Sequence, residues 1–265
     1  MEARPLARPP AFFLAEGRAD ELEEEEAQHA RKVLRLAVGD LLIGLDGAGL
    51  RRPLRVRALT KHGLLLEPAG EPEFEPAPGA EGSPLPWFEL AIAWPRRNRV
   101  EDMVNRLVQL GVAAIRPLRA EQRGPEDVPD EPPERVRRVA REAVKQSGRA
   151  WLPRFLAPGT VLELAASPAA RDFAVLDPRA GLPLDLWLRS INPSPADRGT
   201  EARPIGLLIG PEGGLSGAER RALIEASASL CWLAPFVLRI ETAAEAAMAL
   251  AGAVHGRTPR SQGHT

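Results

Sequence analysis

Cysteine, tyrosine, lysine and long apolar runs are scarce or absent in this chain of 265 residues, and the shortages of cysteine and of apolar runs each exclude a class of protein. The single cysteine, Cys231, rules out an internal disulfide and a cysteine-based metal cluster. The four histidines have no metal-ligand spacing. No apolar run approaches the roughly 20 residues of a membrane span, and MEARPLARPP lacks the apolar core of a signal peptide. We therefore expect a soluble cytoplasmic protein with no metal and no membrane partner.

Positive charge is concentrated in one part of the chain. The formal net charge is −1, which by itself does not indicate a nucleic-acid partner. Residues 96–154, however, contain 14 Lys or Arg against 9 Asp or Glu, a local net charge of +5. Most basic residues are arginine, whose guanidinium group suits phosphates and base edges. An arginine excess with 27 prolines also fits a compositional bias of the genome, so the arginine content alone does not identify a nucleic-acid partner.

A proline-rich segment, residues 68–86, divides the chain into two predicted domains. Such a segment is not expected to hold a helix or a strand ladder. We predict a small β-rich domain over 1–75, a linker over 76–86 and a second domain over 87–265. Apolar runs separated by Gly, Asp and Pro predict the secondary structure of the first domain, namely strands over 41–45, 54–59 and 64–67 and a helix over 23–36.

From residue 87 onward, strand and helix signals alternate. This alternation predicts an α/β fold with a mostly parallel sheet covered by helices. Residues 178–203, rich in Pro and Asp, are predicted to form a long surface connection. The predicted strands cover 87–94, 112–118, 173–176, 205–209 and 230–233, and the predicted helices end at Gly111 and cover 133–148.

The most informative stretch is LLIGPEGGLSGAE, residues 207–219. It begins in the buried strand predicted over 205–209, and four Gly or Pro residues then occur within five positions. Ser216 and Glu219 form a capping box, which predicts a helix to about residue 229. Backbone N–H groups at such a turn can face a ligand, although a plain strand-to-helix turn has a similar pattern. The carboxylate of Glu212 in the turn argues against a phosphate ligand.

A second stretch, LRIETA at 238–243, follows the strand predicted over 230–233 and a short loop. Thr242 and Glu245 have capping-box spacing and predict a helix to about residue 254. GPEGGLS followed by LRIETA at this distance resembles the bacterial family that methylates N3 of one uridine in 16S ribosomal RNA, within the SPOUT superfamily.

The resemblance extends over nearly the whole chain. It includes QLGV at 109–112, Pro117, EQR at 121–123 and KQSGR at 145–149, together with VLR, GD and DG motifs in the first domain. Three departures from the family pattern involve four residues: Asn105-Arg106 replaces Gln-Lys, and Gln109 and Lys145 each replace Glu. The resemblance therefore does not identify the hydrogen-bond partners of these residues.

The resemblance implies a SPOUT domain with a deep C-terminal trefoil knot, preceded by a PUA-like barrel that docks RNA. It also implies a homodimer with the site near its interface, S-adenosylmethionine as cofactor, and 16S ribosomal RNA or the small ribosomal subunit as partner. RNA contacts are implied for His29, Arg35, Arg123 and Arg149, with surface solubility as the alternative for the last two. The implied cofactor pocket comprises Leu176, Leu208, Ile209, Gly210, Glu212, Gly213, Leu215, Leu233, Val237 and Leu238.

The chemistry of N3 methylation assigns candidate roles to three side chains. Uridine N3 carries a proton, which Glu212 or Glu241 can take or relay if the pocket is dry. Arg239 cannot act as a base at neutral pH, but it can stabilise the uridine anion. The alternatives are structural: a charge at a helix N-terminus for Glu241, and an ion pair with Glu212 or Glu241 for Arg239.

Two other functions remain compatible with the sequence. A SPOUT methyltransferase acting on another RNA base would use the same pocket. A non-catalytic RNA-binding assembly factor would need only the fold, but the intact GPEGG and LRIET stretches argue against it.

Overall fold

A computed structural model describes residues 9–61, 63–95, 97–121, 128–192 and 199–257 of the chain. The chain forms two compact units: Met1–Ala77 with Val144–Leu152, and Pro78–Ala143 with Pro153–Thr265. No helix in the described ranges is both long enough and apolar enough to cross a membrane.

The first unit is built on a five-stranded sheet in the order β1-β2-β3-β4, with β5 paired to β3. Strands β1 and β2 are parallel, whereas the other pairs are antiparallel. Its elements are β1 (Ala11–Phe13), α1 (Glu24–Lys32), β2 (Leu41–Leu45), β3 (Leu50–Leu59), β4 (Leu64–Pro68) and β5 (Glu73–Phe74).

The proline-rich segment contains a short strand, which corrects the prediction that it would hold none. Glu73 and Phe74 pair with Arg51 and Leu50 of β3. Glu75 extends this contact, because its N–H donates to Gly49 O at 2.9 Å and its carboxylate accepts from Ala150 N at 2.9 Å. Proline excludes long ladders, but the three residues between Pro72 and Pro76 suffice for a strand of two residues.

A buried ion pair lies in the first unit at one of the positions that depart from the family pattern. Lys145 Nζ donates to both carboxylate oxygens of Glu26, at 2.9 and 3.1 Å, and the two side chains are only 8% and 9% exposed. In the second unit, Arg106 pairs with Glu245, and Gln109 donates to Asn105 at 2.6 Å. Each departure therefore has a local partner.

We expect Lys145→Met to lower the free energy of unfolding by roughly 3–5 kcal/mol, because it leaves the Glu26 carboxylate buried without its cation. The control is Lys145→Met combined with Glu26→Met, which removes both charges and should recover most of the loss. Urea unfolding followed by circular dichroism measures both variants. If the single variant loses less than about 1 kcal/mol of unfolding free energy, the ion pair contributes no more than an exposed salt bridge does.

The second unit is an α/β unit whose sheet has the order β11-β13-β10-β12-β6-β7-β8, with β9 beside β7. Every pairing among its described strands is parallel, as the alternation of signals predicts. Its elements are β6 (Phe88–Ala93), α2 (Arg97–Gln109), β7 (Ala114–Arg119), α3 (Glu134–Ser147), β8 (Arg154–Phe155), β9 (Gly159–Thr160), α4 (Val161–Ala166), β10 (Phe173–Leu176), β11 (Leu182–Pro183), α5 (Leu184–Ser190), β12 (Ile205–Ile209), α6 (Gly217–Glu225), β13 (Ser229–Trp232) and α7 (Ile240–His255). The last four residues of α3, from Val144 onward, belong to the first unit.

The central strand, β12, is buried at all five positions because β6 and β10 flank it and helices cover its faces. A Cβ at Gly206 would come within 2.4 Å of the Phe173 ring, so glycine permits this close packing of β10 on β12. The core of this half of the sheet includes Phe173, Val175, Leu208 and Leu223.

Three predictions about this unit are wrong. Residues 178–203 are not only a surface connection, since they contain β11 and α5, where Leu184, Trp187 and Leu188 are buried. Helix α6 ends at Glu225 rather than near 229, because Ser227 adopts a left-handed conformation with φ of 65° and turns the chain into β13. Thr242 does not cap α7.

Helix α7 begins two residues before the predicted capping residue. Ile240 is 5% exposed, and its burial draws this residue into the first turn. Ala243 N–H donates to Arg239 O at 2.9 Å, so Arg239 occupies the N-cap position without a side-chain capping bond.

Candidate functional site

The turn after β12 is held by its own hydrogen bonds. Gly214 N–H donates to Pro211 O at 2.8 Å, and Gly214 has a φ of 78°, which favours glycine. Ser216 Oγ accepts from Glu219 N at 3.1 Å, and Glu219 Oε2 accepts from Ser216 N at 2.8 Å. These two bonds form the predicted capping box, so the turn is fixed to the start of α6.

Glu219 also connects this turn to the segment after β7. Its side chain is buried, with 1% exposure, and its Oε1 accepts from Glu121 N at 3.0 Å. One carboxylate therefore accepts from backbone N–H groups of two loops, which restricts the movement of the turn.

A cavity of about 520 Å³ opens where β10, β12 and β13 end. All three are parallel strands, and the carboxyl ends of parallel strands are the usual place for ligand sites in α/β sheets. Its walls come from residues 175–179 around the end of β10, 209–215 at and after the end of β12, 233–234 and 236–238 after β13, one residue each of α6 and β13, and two residues of α7.

Nine of the ten residues predicted to bind the cofactor line this cavity. They are Leu176, Ile209, Gly210, Glu212, Gly213, Leu215, Leu233, Val237 and Leu238. Leu208 does not line it. Its neighbours in β12 alternate between faces, so Leu208 packs into the core beside Phe173 and Val175.

An ion-pair cluster made of Asp177, Arg179 and Arg220 forms part of the cavity wall. Asp177 Oδ2 accepts from Arg220 Nε at 2.9 Å, and Oδ1 accepts from the N–H and Nε of Arg179 at 2.8 and 3.2 Å. Burial by itself would raise the pKa of Asp177, but these hydrogen bonds outweigh it and hold the pKa below its ordinary value. Asp177 is therefore ionised at neutral pH.

The three predicted catalytic residues are differently placed. Glu212 lines the cavity, is exposed, and makes no hydrogen bond or ion pair with the described residues. Glu241, in the first turn of α7, accepts from Arg99 Nη1 at 3.0 Å. Arg239 is exposed and forms no ion pair within the described ranges, so it has neither of the two structural partners considered for it.

Comparison with known proteins identifies the family. A family model described as an RNA methyltransferase domain matches residues 81–252. The protein named ribosomal RNA small subunit methyltransferase E from Synechocystis sp. is 30% identical over 233 residues, which cover 86% of this chain and 71% of that protein. The chain belongs to the ribosomal RNA small subunit methyltransferase E family.

Other members agree in sequence and in fold. The Bacillus subtilis protein of the same name is 25% identical over 227 residues, which cover 83% of this chain and 84% of that protein. The crystal structure of ribosomal RNA small subunit methyltransferase E from Neisseria gonorrhoeae, bound to S-adenosyl methionine, has a TM-score of 0.72. It is 23% identical, and the match covers 94% of this chain and 99% of the other.

Three of the four residues that the methyltransferase family pattern implies for RNA contacts fall within the described ranges, and none of these three lines the cavity. His29 is half-buried on α1, with its ring edge-to-face against Phe12 at 6.2 Å, and Arg35 is exposed after α1 with a φ of 53°. Arg149 is partly buried, and burial lowers its pKa to about 10 against the opposing effect of Glu75. Arg123 lies outside the described residues.

Several cavity residues of this methyltransferase were not singled out by sequence reasoning. Arg179 and Arg220 give no motif, because their partner Asp177 is distant in sequence from Arg220. Ile240 and Ala243 line the cavity because α7 begins earlier than predicted. In the described part of the chain, no group of three or more His, Cys, Asp or Glu side chains is arranged to hold a metal ion.

Proposed function

We propose that this protein transfers the methyl group of S-adenosylmethionine to N3 of a uridine in the 16S ribosomal RNA of the small subunit. The observation that carries the proposal is the cavity at the ends of β10, β12 and β13, whose wall includes the GPEGG turn. Membership of a family named for small-subunit ribosomal RNA methylation supports the substrate class. The cofactor in the Neisseria structure supports the methyl donor.

The cavity fits this cofactor. Its volume of about 520 Å³ lies within the roughly 300–1,000 Å³ of typical small-molecule sites. Leu215, Leu233 and Leu238 provide apolar surface for the adenine ring, and the backbone of Gly210 and Gly213 is accessible from the cavity. A Cβ at Gly210 would come within 3.1 Å of Leu215, so glycine keeps this wall close-packed.

Bound S-adenosylmethionine would supply an electrophilic methyl group on a sulfonium ion. The chain must then align the uridine with that group and exclude water. N3 also has to lose its proton, and Glu212 is the stronger candidate to accept it because its carboxylate has no partner among the described residues. Glu241 is already bound by Arg99, which suits a role in fixing the start of α7.

Arg239 is proposed to stabilise the anion that forms when N3 loses its proton. Its position supports this role, since it lies between the cavity residues Leu238 and Ile240 and its charge is not used in an ion pair with the described residues. A planar guanidinium can donate to a carbonyl oxygen of the uridine.

The finer features of the fold are also part of the proposal. Strand β13 lies between β10 and β11, although residues 177–181 join β10 directly to β11. This order supports a chain that threads beneath an earlier loop, as a C-terminal trefoil knot requires. A crystal structure in which the C-terminal segment does not pass through an earlier loop of the backbone would contradict the knot.

A homodimer is proposed from the surface beside the cavity. Phe236 and Val237 line the cavity and are each 79% exposed, an unusual position for large apolar side chains. A second copy covering them would complete the wall. Sedimentation analysis at micromolar concentration tests this, and a monomer with S-adenosylmethionine bound would contradict it.

The first unit is proposed to be a PUA-like barrel that docks RNA in the cytoplasm, where the small subunit is found. Along β3, Leu54 and Val56 are buried whereas Arg55 and Arg57 are exposed, which places basic side chains on its outer face. Arg35 is exposed in the same unit. These charges suit phosphate contacts.

Affinity for small-subunit RNA is therefore expected to fall steeply with salt. Arg35→Gln together with Arg57→Gln should reduce the slope of log affinity against log salt by roughly 0.7 for each phosphate that is no longer neutralised, because fewer counterions are released. Affinity for S-adenosylmethionine should not change. Arg18→Gln, which removes an exposed charge already paired with Glu21, is the control. An unchanged slope in the double variant would exclude this surface from RNA binding.

Calorimetric titration with S-adenosylmethionine tests the proposed function against a non-catalytic assembly factor. We expect one site per chain with micromolar affinity or tighter, on the order of −8 kcal/mol. No detectable heat or competition at millimolar cofactor would favour the assembly factor and contradict the proposal.

A further inference from the structure

One cation in the cavity wall is positioned for a ligand. Four ionisable side chains line the cavity among the described residues: Asp177, Arg179, Glu212 and Arg220. Both carboxylate oxygens of Asp177 accept hydrogen bonds, Oδ1 from Arg179 and Oδ2 from Arg220. Two guanidinium groups therefore face one carboxylate, and this corner of the cavity keeps a positive charge.

Arg220 is the better placed of the two arginines. Its side chain is 36% exposed, whereas that of Arg179 is 76% exposed. The Arg220 side chain donates from Nε to Asp177 and makes no other hydrogen bond with the described residues. The Asp177 contact thus fixes the plane of the guanidinium, and its two terminal amino groups remain for a ligand.

We propose that Arg220, held in position by Asp177, binds the carboxylate of the methionine part of S-adenosylmethionine. This inference rests on the proposed function. The carboxylate is the one anionic group of that cofactor, and a guanidinium binds a carboxylate through charge-assisted hydrogen bonds. Asp177 is a positioning residue, because it acts on the cofactor through Arg220.

The Asp177 carboxylate does not oppose this role. It would repel the cofactor carboxylate if it were unpaired, but Arg179 supplies a backbone donor and a second cation to it. Asp177 therefore holds Arg220 in position, and the cluster of Asp177, Arg179 and Arg220 still carries a net positive charge.

The test compares S-adenosylmethionine with its decarboxylated analogue, which lacks only the carboxylate, by calorimetric titration. Wild-type protein should bind the decarboxylated analogue roughly 10- to 100-fold more weakly, as expected for the loss of a hydrogen bond between charged groups. Arg220→Ala should weaken binding of S-adenosylmethionine by a similar factor and leave binding of the analogue nearly unchanged.

Two further variants complete the design. Arg221→Ala removes the next arginine of α6, which is exposed and does not line the cavity, and should change neither affinity. Asp177→Asn keeps the shape but weakens the hold on Arg220, so it should lower affinity for S-adenosylmethionine by a smaller factor than Arg220→Ala. Circular dichroism of each variant reports whether the fold is retained.

Several results would overturn the inference. Equal binding of the two ligands by wild-type protein would show that the carboxylate is not recognised, whether or not the variants fold. If Arg220→Ala weakens binding of both ligands equally, the ion pair of Arg220 with Asp177 has only a structural role. If Arg220→Ala weakens only the binding of RNA, Arg220 contacts a phosphate rather than the cofactor. Failure of wild-type protein to bind either ligand would instead contradict the proposed function itself.

Discussion

Replacing Arg239 with alanine is expected to lower the single-turnover rate of methyl transfer by roughly 100-fold or more, as for removal of one donor to a developing anion. The uridine acquires its negative charge mainly in the transition state, so the interaction contributes to the rate rather than to binding. Affinity for S-adenosylmethionine should therefore remain within about twofold of wild type.

The structure separates this role from a structural one. Arg239 is exposed, makes no side-chain cap for α7, and has no ion pair within the described residues. Its replacement should consequently change thermal stability very little, since surface substitutions of this kind are usually within about 0.5 kcal/mol. A structural arginine would instead lower stability and cofactor affinity together.

Two variants control for charge and position. Arg239→Lys keeps the charge but loses the planar fork, so it should recover only part of the rate. Arg221→Ala removes an exposed arginine of α6, outside the loop that joins β13 to α7, and should leave the rate unchanged. If the rate in Arg239→Ala falls only in proportion to stability or cofactor affinity, Arg239 is not catalytic.

Replacing Gly213 with valine is expected to abolish detectable binding of S-adenosylmethionine. Gly213 lies in the GPEGG turn and lines the cavity, so a branched side chain there fills space that the cofactor needs to reach the backbone. The φ of Gly213 is not positive, and an L-residue can adopt its conformation. The fold should therefore survive, with a melting temperature within a few degrees of wild type.

Gly181→Val is the matched control for this variant. Gly181 is also exposed, has no positive φ, and an added Cβ there meets nothing within 4 Å, but it does not line the cavity. Calorimetric titration should give wild-type affinity for the control and no binding for Gly213→Val. Normal binding by Gly213→Val would remove this turn from the cofactor site.

Local sequence signals predicted much of the second unit. The apolar run at 205–209 is the buried central strand, and the Ser216 and Glu219 capping box starts α6 as predicted. These features depend on residues that are close in sequence, so they can be predicted from a single sequence. The capping-box spacing of Thr242 and Glu245 was misleading, because α7 begins with buried Ile240 and its N-cap is Arg239, three residues before Thr242.

The interactions that arrange the site could not be predicted in this way. Arg99 and Glu241 are 142 residues apart, and Asp177 and Arg220 are 43 residues apart. Each pair exists because the sheet order places the ends of distant strands and helices side by side. Arg99 is the ion-pair partner of Glu241, whereas Arg239 has no ion pair within the described residues.

Nucleoside analysis of 16S ribosomal RNA from a strain that lacks this gene tests N3 methylation of uridine most directly. RNA from the deletion strain should lose one 3-methyluridine, and purified protein with S-adenosylmethionine should restore it on deletion-strain small subunits or their RNA. The Arg239→Ala variant should restore it at roughly 100-fold lower rate or slower. An unchanged 3-methyluridine content, or the loss of a different methylated nucleoside, would contradict the assignment.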